Sequence, residues 1–329
     1  VKMGGRVIER LANLDAIASA TASRTEEGWR ALDLRVWDGI DVRLLPDRAL
    51  DCLGAWYRGV PLAWLSAVGE HGPIAGRLRD DDWLAAFGGG LVTTCGLRNV
   101  GAPSEGHGLH GEISHQAARA VHTERRVEGD RVIMRAAATV TEVSALGHRL
   151  ELERTWTTRT GEGLLELVDV TRNRGREAEP APLLYHVNLG APLWSPGATL
   201  GLDARRTLPR DADAVEPWDQ VLDVVPGARE RVFEHEVAAG PDGWCAATVH
   251  SPATGLRFVL RWETSGLPRL HQWVHPAPGV YALGLEPANC SVLGRAADRA
   301  AGRLPVLAPG EERVTRIEIR VASGIARDR

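Results

Sequence analysis

The 329-residue chain predicts an all-β protein, and three observations carry that expectation. Short segments alternate apolar and polar residues, glycine-containing turns divide them, and helical periodicity is confined to the first 20 residues and to Asp80–Phe87. Spacing of this kind describes an antiparallel sandwich or barrel rather than a parallel α/β sheet.

The clearest run extends from Arg131 to Asn173 and holds three strand-like stretches. Ala145-Leu146-Gly147-His148 and Thr160-Gly161-Glu162-Gly163 divide them. In the second stretch Leu150, Leu152 and Arg154 fall on one face, with Glu151, Glu153 and Thr155 on the other. In the third, Leu165, Leu167 and Asp169 alternate with Glu166, Val168 and Val170. Later segments repeat the pattern: 230–238, 245–251, 255–263, 269–275, 280–287 and 313–322. The glycine-rich section 65–115 has little strand pattern and reads as loops. The expected organisation is a helical and extended segment over residues 1–40, packed on one large β domain over 41–329.

Composition excludes several functions. Hydrophobic content of 44% and charged content of 25% are those of an ordinary globular protein. A net charge of -4, with arginines scattered along the chain, offers no electrostatic footprint for nucleic acid. No apolar run is long enough to span a bilayer, and Glu9, Arg10 and Asp15 interrupt any signal-peptide core. Cys52, Cys95, Cys245 and Cys290 lie far apart without C-x-x-C spacing, as expected of buried reduced thiols in a cytoplasmic protein. There is no G-x-S-x-G elbow, P-loop or strand–GxGxxG–helix unit, and no cofactor is expected. Oligomeric state leaves no mark in the sequence.

Three segments combine ionisable residues with glycine or proline in apolar surroundings. In Leu183–Trp194, alternation turns His186 and Asn188 to one face of an apolar strand. They are either buried and satisfied or they line a pocket. In Gly88–His115, glycines leave Arg98, Asn99, His107, His110, Glu112 and His115 free to approach a ligand. In Gly279–Cys290, an apolar strand runs into Glu286 and Pro287, and a carboxylate there is costly unless paired or functional.

Two chemistries compete. Imidazole and carboxylate side chains of His107, His110, Glu112 and His186 could ligate zinc or manganese, although the H-E-x-x-H helix is absent. Alternatively, a histidine and a glutamate on opposing sides of a pocket could open a sugar hemiacetal, one protonating the ring oxygen while the other deprotonates the anomeric hydroxyl. Trp273 is a candidate to stack on a sugar face. Asp51 either binds a hydroxyl or pairs with Arg48 or Arg58, and the pairing is preferred.

On these segments the chain resembles the aldose 1-epimerase (galactose mutarotase-like) superfamily, and within it a divergent bacterial branch. The anchors are Asp47–Ser66, Gly88–Gly101, His107–Ser114, Leu183–Leu193 and Gln272–Asn289. The resemblance implies a large antiparallel β-supersandwich, a small-molecule carbohydrate as partner, no resident metal, and an acid–base pair. His186 in Tyr-His-Val-Asn-Leu-Gly matches the superfamily's general acid, and Glu286 in Gly-Leu-Glu-Pro-Ala-Asn its general base. Arg98, His107 or His110, and Asn188 would hold hydroxyls. Two departures stand out: only Val187 separates His186 from the Asn-Leu pair, where two residues are usual, and Glu286 is followed by Pro287 instead of Thr. A sugar-binding or regulatory module that kept the cleft without the chemistry is the alternative from another class, beside a metal-dependent isomerase or lyase.

Overall fold

The computed structural model describes residues 8–214 and 217–324. Strands β1 (Ala18–Arg24), β2 (Arg30–Val36), β3 (Ile40–Leu45), β4 (Asp51–Tyr57) and β5 (Val60–Pro61) come first, then β6 (Thr93–Gly96). Next come β7 (Arg119–Glu128), β8 (Arg131–Val143), β9 (Arg149–Arg159), β10 (Leu164–Asn173), β11 (Glu179–Pro180) and β12 (Leu183–Leu189). The remainder comprises β13 (Thr199–Leu202), β14 (Ala204–Pro209), β15 (Arg231–Val237), β16 (Trp244–Ser251), β17 (Leu256–Glu263), β18 (Arg269–His275) and β19 (Ala282–Ala288). A short helix α1 (Arg295–Ala300) precedes β20 (Val306–Leu307) and β21 (Glu312–Ser323).

Every strand pairing is antiparallel. One sheet has the order β13-β16-β17-β21-β10-β9-β8-β7, a second β14-β15-β18-β19-β12-β6, and a third β1-β2-β3-β4-β5. Their inner faces share one apolar core, in which Leu34, Leu44, Trp156, Leu167, Tyr185, Phe258, Leu285 and Ile319 are buried. Burying alternate residues in this way is what drives sheets to pack face to face.

The meander is the one the alternation predicts. Leu150, Leu152 and Arg154 of β9 and Leu165, Leu167 and Asp169 of β10 point inward and are buried. The later segments form β15 to β19 and β21. Other parts differ from expectation. The helical pattern before residue 20 is realised, among the described residues, as two 3-10 turns, Ile8–Arg10 and Leu14–Ala16, and Asp82–Ala86 is a further 3-10 turn. Helix α1 lies outside the two segments with helical periodicity. The loop section 65–115 contributes β6, which pairs with β12 and becomes the edge of the second sheet. No helix among the described residues is long and apolar enough to cross a membrane.

Candidate functional site

The second sheet carries the site on one face of β12 and β19. Leu184 pairs with Ala288 and Val187 with Leu285, a register that sets positions 186 and 286 side by side. Pro287 has no N–H to offer β12, and the paired residues skip Tyr185 and His186 there. His186 Nε2 lies 3.2 Å from Glu286 Oε1, and the two residues are only 5% and 2% exposed. The two groups therefore stand on one wall and touch, rather than facing each other across a cleft as the sequence reading has it.

A glycine makes that contact possible. Gly284 lies opposite Asn188 on β12 and Trp273 on β18. A methyl group there would come within 2.9 Å of Glu286 Oε1 and 3.1 Å of His186 Cε1. Any side chain at 284 would have to displace the pair.

Aromatic rings enclose it. Trp83, Phe87, His110 and Trp273 have ring centroids 6.4, 5.2, 5.9 and 5.5 Å from that of His186. Trp64 packs against both Phe87 and Trp273. Glu230 accepts the Trp273 indole N–H at 2.9 Å and pairs with Arg210 at the same distance.

Burial sets the protonation states. Removing water penalises the charged form of each group. Burial, opposed by the Asn188 side chain and by Glu230, pulls His186 down to about 4. Burial, reinforced by Glu230 and opposed by Arg210, pushes Glu286 up to about 8. Both shifts favour a protonated carboxyl beside a free-base imidazole. Two groups in contact titrate as a pair, and this pair carries one proton across the interval between those values.

His110 is likewise held neutral, pulled down to about 3 by burial and by His186 and His271. Its Nδ1 accepts the Gly101 N–H at 3.4 Å, which leaves the proton on Nε2. The residue sits at φ 56°, a left-handed conformation that costs energy in a non-glycine residue.

The sequence-predicted residues separate into three groups. His186, Asn188, Glu286, His110 and Trp273 converge. Arg98 and His107 gather elsewhere: Arg98 pairs with Glu179 at 2.8 Å, and Arg295 reaches both the Arg98 carbonyl and His107 Nε2. Neither makes a hydrogen bond, ion pair or ring contact with His186 or Glu286. His107 instead lines a separate cavity of about 490 Å³ with Arg77 and Arg79. Asp51 is bound to Arg154, Thr94 Oγ1 and the Thr94 N–H, a structural pairing with a partner other than Arg48 or Arg58. Among the described residues no three His, Cys, Asp or Glu side chains converge as a metal-ligand set, and His107 is engaged by Arg295.

Sequence reading missed Trp64, Trp83, Phe87, Gly284 and Glu230. Trp83 and Phe87, four residues apart, were the one available signal, hidden within a stretch read as weakly helical. Further cavities of about 710 and 650 Å³ lie along the large sheet, and neither is lined by His186 or Glu286.

The solved structures most informative about this chain share its fold. A protein of Klebsiella pneumoniae subsp. pneumoniae MGH 78578, described as a "putative aldose 1-epimerase", superposes with a TM-score of 0.84 at 20% identity, over 96% of this chain and 89% of that one. A galactose mutarotase-like protein of Clostridium acetobutylicum gives 0.63 at 12% identity, over 94% and 99%. Galactose 1-epimerase of Lactobacillus acidophilus NCFM gives 0.58 at 12% identity, over 94% and 100%. Among curated proteins none matches this chain in sequence. The fold is thus the galactose mutarotase-like β-supersandwich, and with a family model matching residues 26–321 the chain belongs to the family described as Domain of unknown function (DUF4432).

Proposed function

We propose that this protein interconverts the anomers of a sugar or sugar derivative, with His186 and Glu286 exchanging protons with the hemiacetal. The observation that carries the reading is the 3.2 Å contact between a buried imidazole and a buried carboxyl that together hold one proton. The galactose mutarotase-like fold and the names of its structural neighbours support it.

The chemistry suits a pair on one wall. The ring oxygen and the anomeric hydroxyl are attached to the same carbon, so an adjacent donor and acceptor can reach both. Glu286 gives its proton to the ring oxygen as the bond from that oxygen to the anomeric carbon breaks. His186 Nε2 takes the hydroxyl proton as the carbonyl forms. The aldehyde turns about its bond to the next carbon, and the reverse transfers close the other anomer. One proton enters and one leaves the sugar, so nothing is consumed. This reverses the acid and base roles that the resemblance implies, because burial favours the neutral form of both groups. Partly exposed Trp273 offers an apolar face to the C–H surface of a sugar, with Trp83 and Phe87 packed behind the site, and the His110 Nε2–H is a donor for a hydroxyl.

His186→Ala and Glu286→Gln should each slow anomer interconversion at least ~100-fold, the scale of general acid–base catalysis. Saturation-transfer NMR on a panel of aldoses and their derivatives reads the rate. Undiminished activity in either variant removes that residue from the mechanism. Sugar binding by the wild type without any acceleration across the panel would favour a binding module instead.

A further inference from the structure

Two buried polar atoms beside the pair lack a hydrogen-bond partner: His186 Nδ1 and Asn188 Oδ1. They belong to residues on the same face of β12, two positions apart. Unpaired buried polar atoms are costly, and two complementary ones side by side point to each other.

The orientation of the Asn188 amide is determined by its partners. Its Nδ2 donates to the Gly90 carbonyl and to the His186 carbonyl, both at 3.0 Å. Two carbonyl acceptors use both amide protons and require the nitrogen at that position. Oδ1 is then a pure acceptor on a side chain that acts on the imidazole, opposing the fall that burial imposes on it. The other ring nitrogen, Nε2, faces Glu286. The aromatic neighbours of the imidazole are the Trp83, Phe87, Trp273 and His110 rings, with Glu230 acting on it from further out.

We propose that Asn188 is a positioning residue: its Oδ1 receives the His186 Nδ1–H, fixing the tautomer in which the Nε2 lone pair points at Glu286. This assignment rests on reading His186 and Glu286 as the proton-exchanging pair. A histidine that must accept a proton at one nitrogen needs its other proton held at the opposite nitrogen, and a neighbouring acceptor does that. Asn188 therefore acts through His186, and sugar hydroxyls are left to other groups. The assignment also explains why a polar amide occupies a fully buried position in an apolar strand.

The test is 15N NMR of the full chain labelled in histidine, at pH 6, with the His186 signals identified by their loss in His186→Gln. The expected wild-type pattern is a protonated Nδ1 and an unprotonated Nε2. The opposite tautomer, or an even mixture, overturns the proposal without any variant being needed. Asn188→Leu should then shift His186 toward the mixed state and lower kcat at least ~10-fold with little change in KM, while Asn188→Ser, which keeps an acceptor, recovers part of both. An unchanged tautomer in folded Asn188→Leu also overturns it. The tautomer is read without turnover. Absence of anomer interconversion in the wild type would end the proposed function and leave this spectrum as it stands.

Discussion

Two adjacent residues of β12, Tyr185 and His186, look into two different buried polar clusters. Behind the strand, Arg154 binds Asp169 through Nε and Nη2 at 3.0 and 2.6 Å, and Asp51 through Nη1 at 2.5 Å. Its remaining donors reach the Ala49 carbonyl and Thr94 Oγ1. The Tyr185 O–H donates to Asp169, and Thr315 completes the network. In front of the strand, His186 and Glu286 have each other, and His186 Nδ1 and Asn188 Oδ1 have no other partner. The first cluster is charged and saturated. In the second, burial favours the neutral form of each group. Burial is common to both; what differs is whether the partners at hand favour the charged or the neutral form.

Breaking the saturated cluster should have the largest effect. Arg154→Leu leaves two buried carboxylates without their cation and should cost about 3–5 kcal/mol, read from urea unfolding. A cost below about 1 kcal/mol would show that the network is not the brace between the sheets. Gly284→Ala tests the His186–Glu286 cluster by crowding. The added methyl must push Glu286 and His186 apart, so activity should fall while stability drops by about 1–3 kcal/mol.

The pH dependence of stability separates the clusters more finely. Glu286 stands at about 8 when folded against an ordinary 4.5, so the folded state holds the extra proton and loses stability as pH rises between them. His186 stands at about 4 against 6.5, so its contribution rises with pH over that lower interval. The two trends offset each other between 4.5 and 6.5, and the Glu286 loss emerges from there up to about 8. Glu286→Gln should therefore lose less stability than the wild type between pH 6.5 and 8, in parallel thermal melts. The smallest effect belongs to Tyr185→Phe, which removes one hydroxyl from the saturated network. It should cost about 1 kcal/mol and leave turnover unchanged.

Much of this was legible in the sequence. Period-2 alternation located β8 to β10 and the later strands, and the same rule put His186 and Asn188 on one face. The cost of a carboxylate in an apolar strand singled out Glu286. What local pattern does not encode is which distant residue each polar group meets. Asp51 finds Arg154 across 103 positions, and His107 finds Arg295 across 188. Register between β12 and β19, set by long-range pairing, put His186 and Glu286 on one wall. The aromatic enclosure left only a partial signal, in Trp273 and in the spacing of Trp83 and Phe87, while Trp64 looks like a core tryptophan until the sheet brings it around the imidazole.

The central claim is that His186 and Glu286 share one proton and use it on a hemiacetal. The pH profile of kcat/KM for anomer interconversion tests it most directly. A plateau bounded by limbs near the values to which burial moves the two groups, about 4 and about 8, is the predicted result, with the upper limb lost in Glu286→Gln. A single limb near the ordinary histidine value of about 6.5, unchanged in Glu286→Gln, would contradict the account.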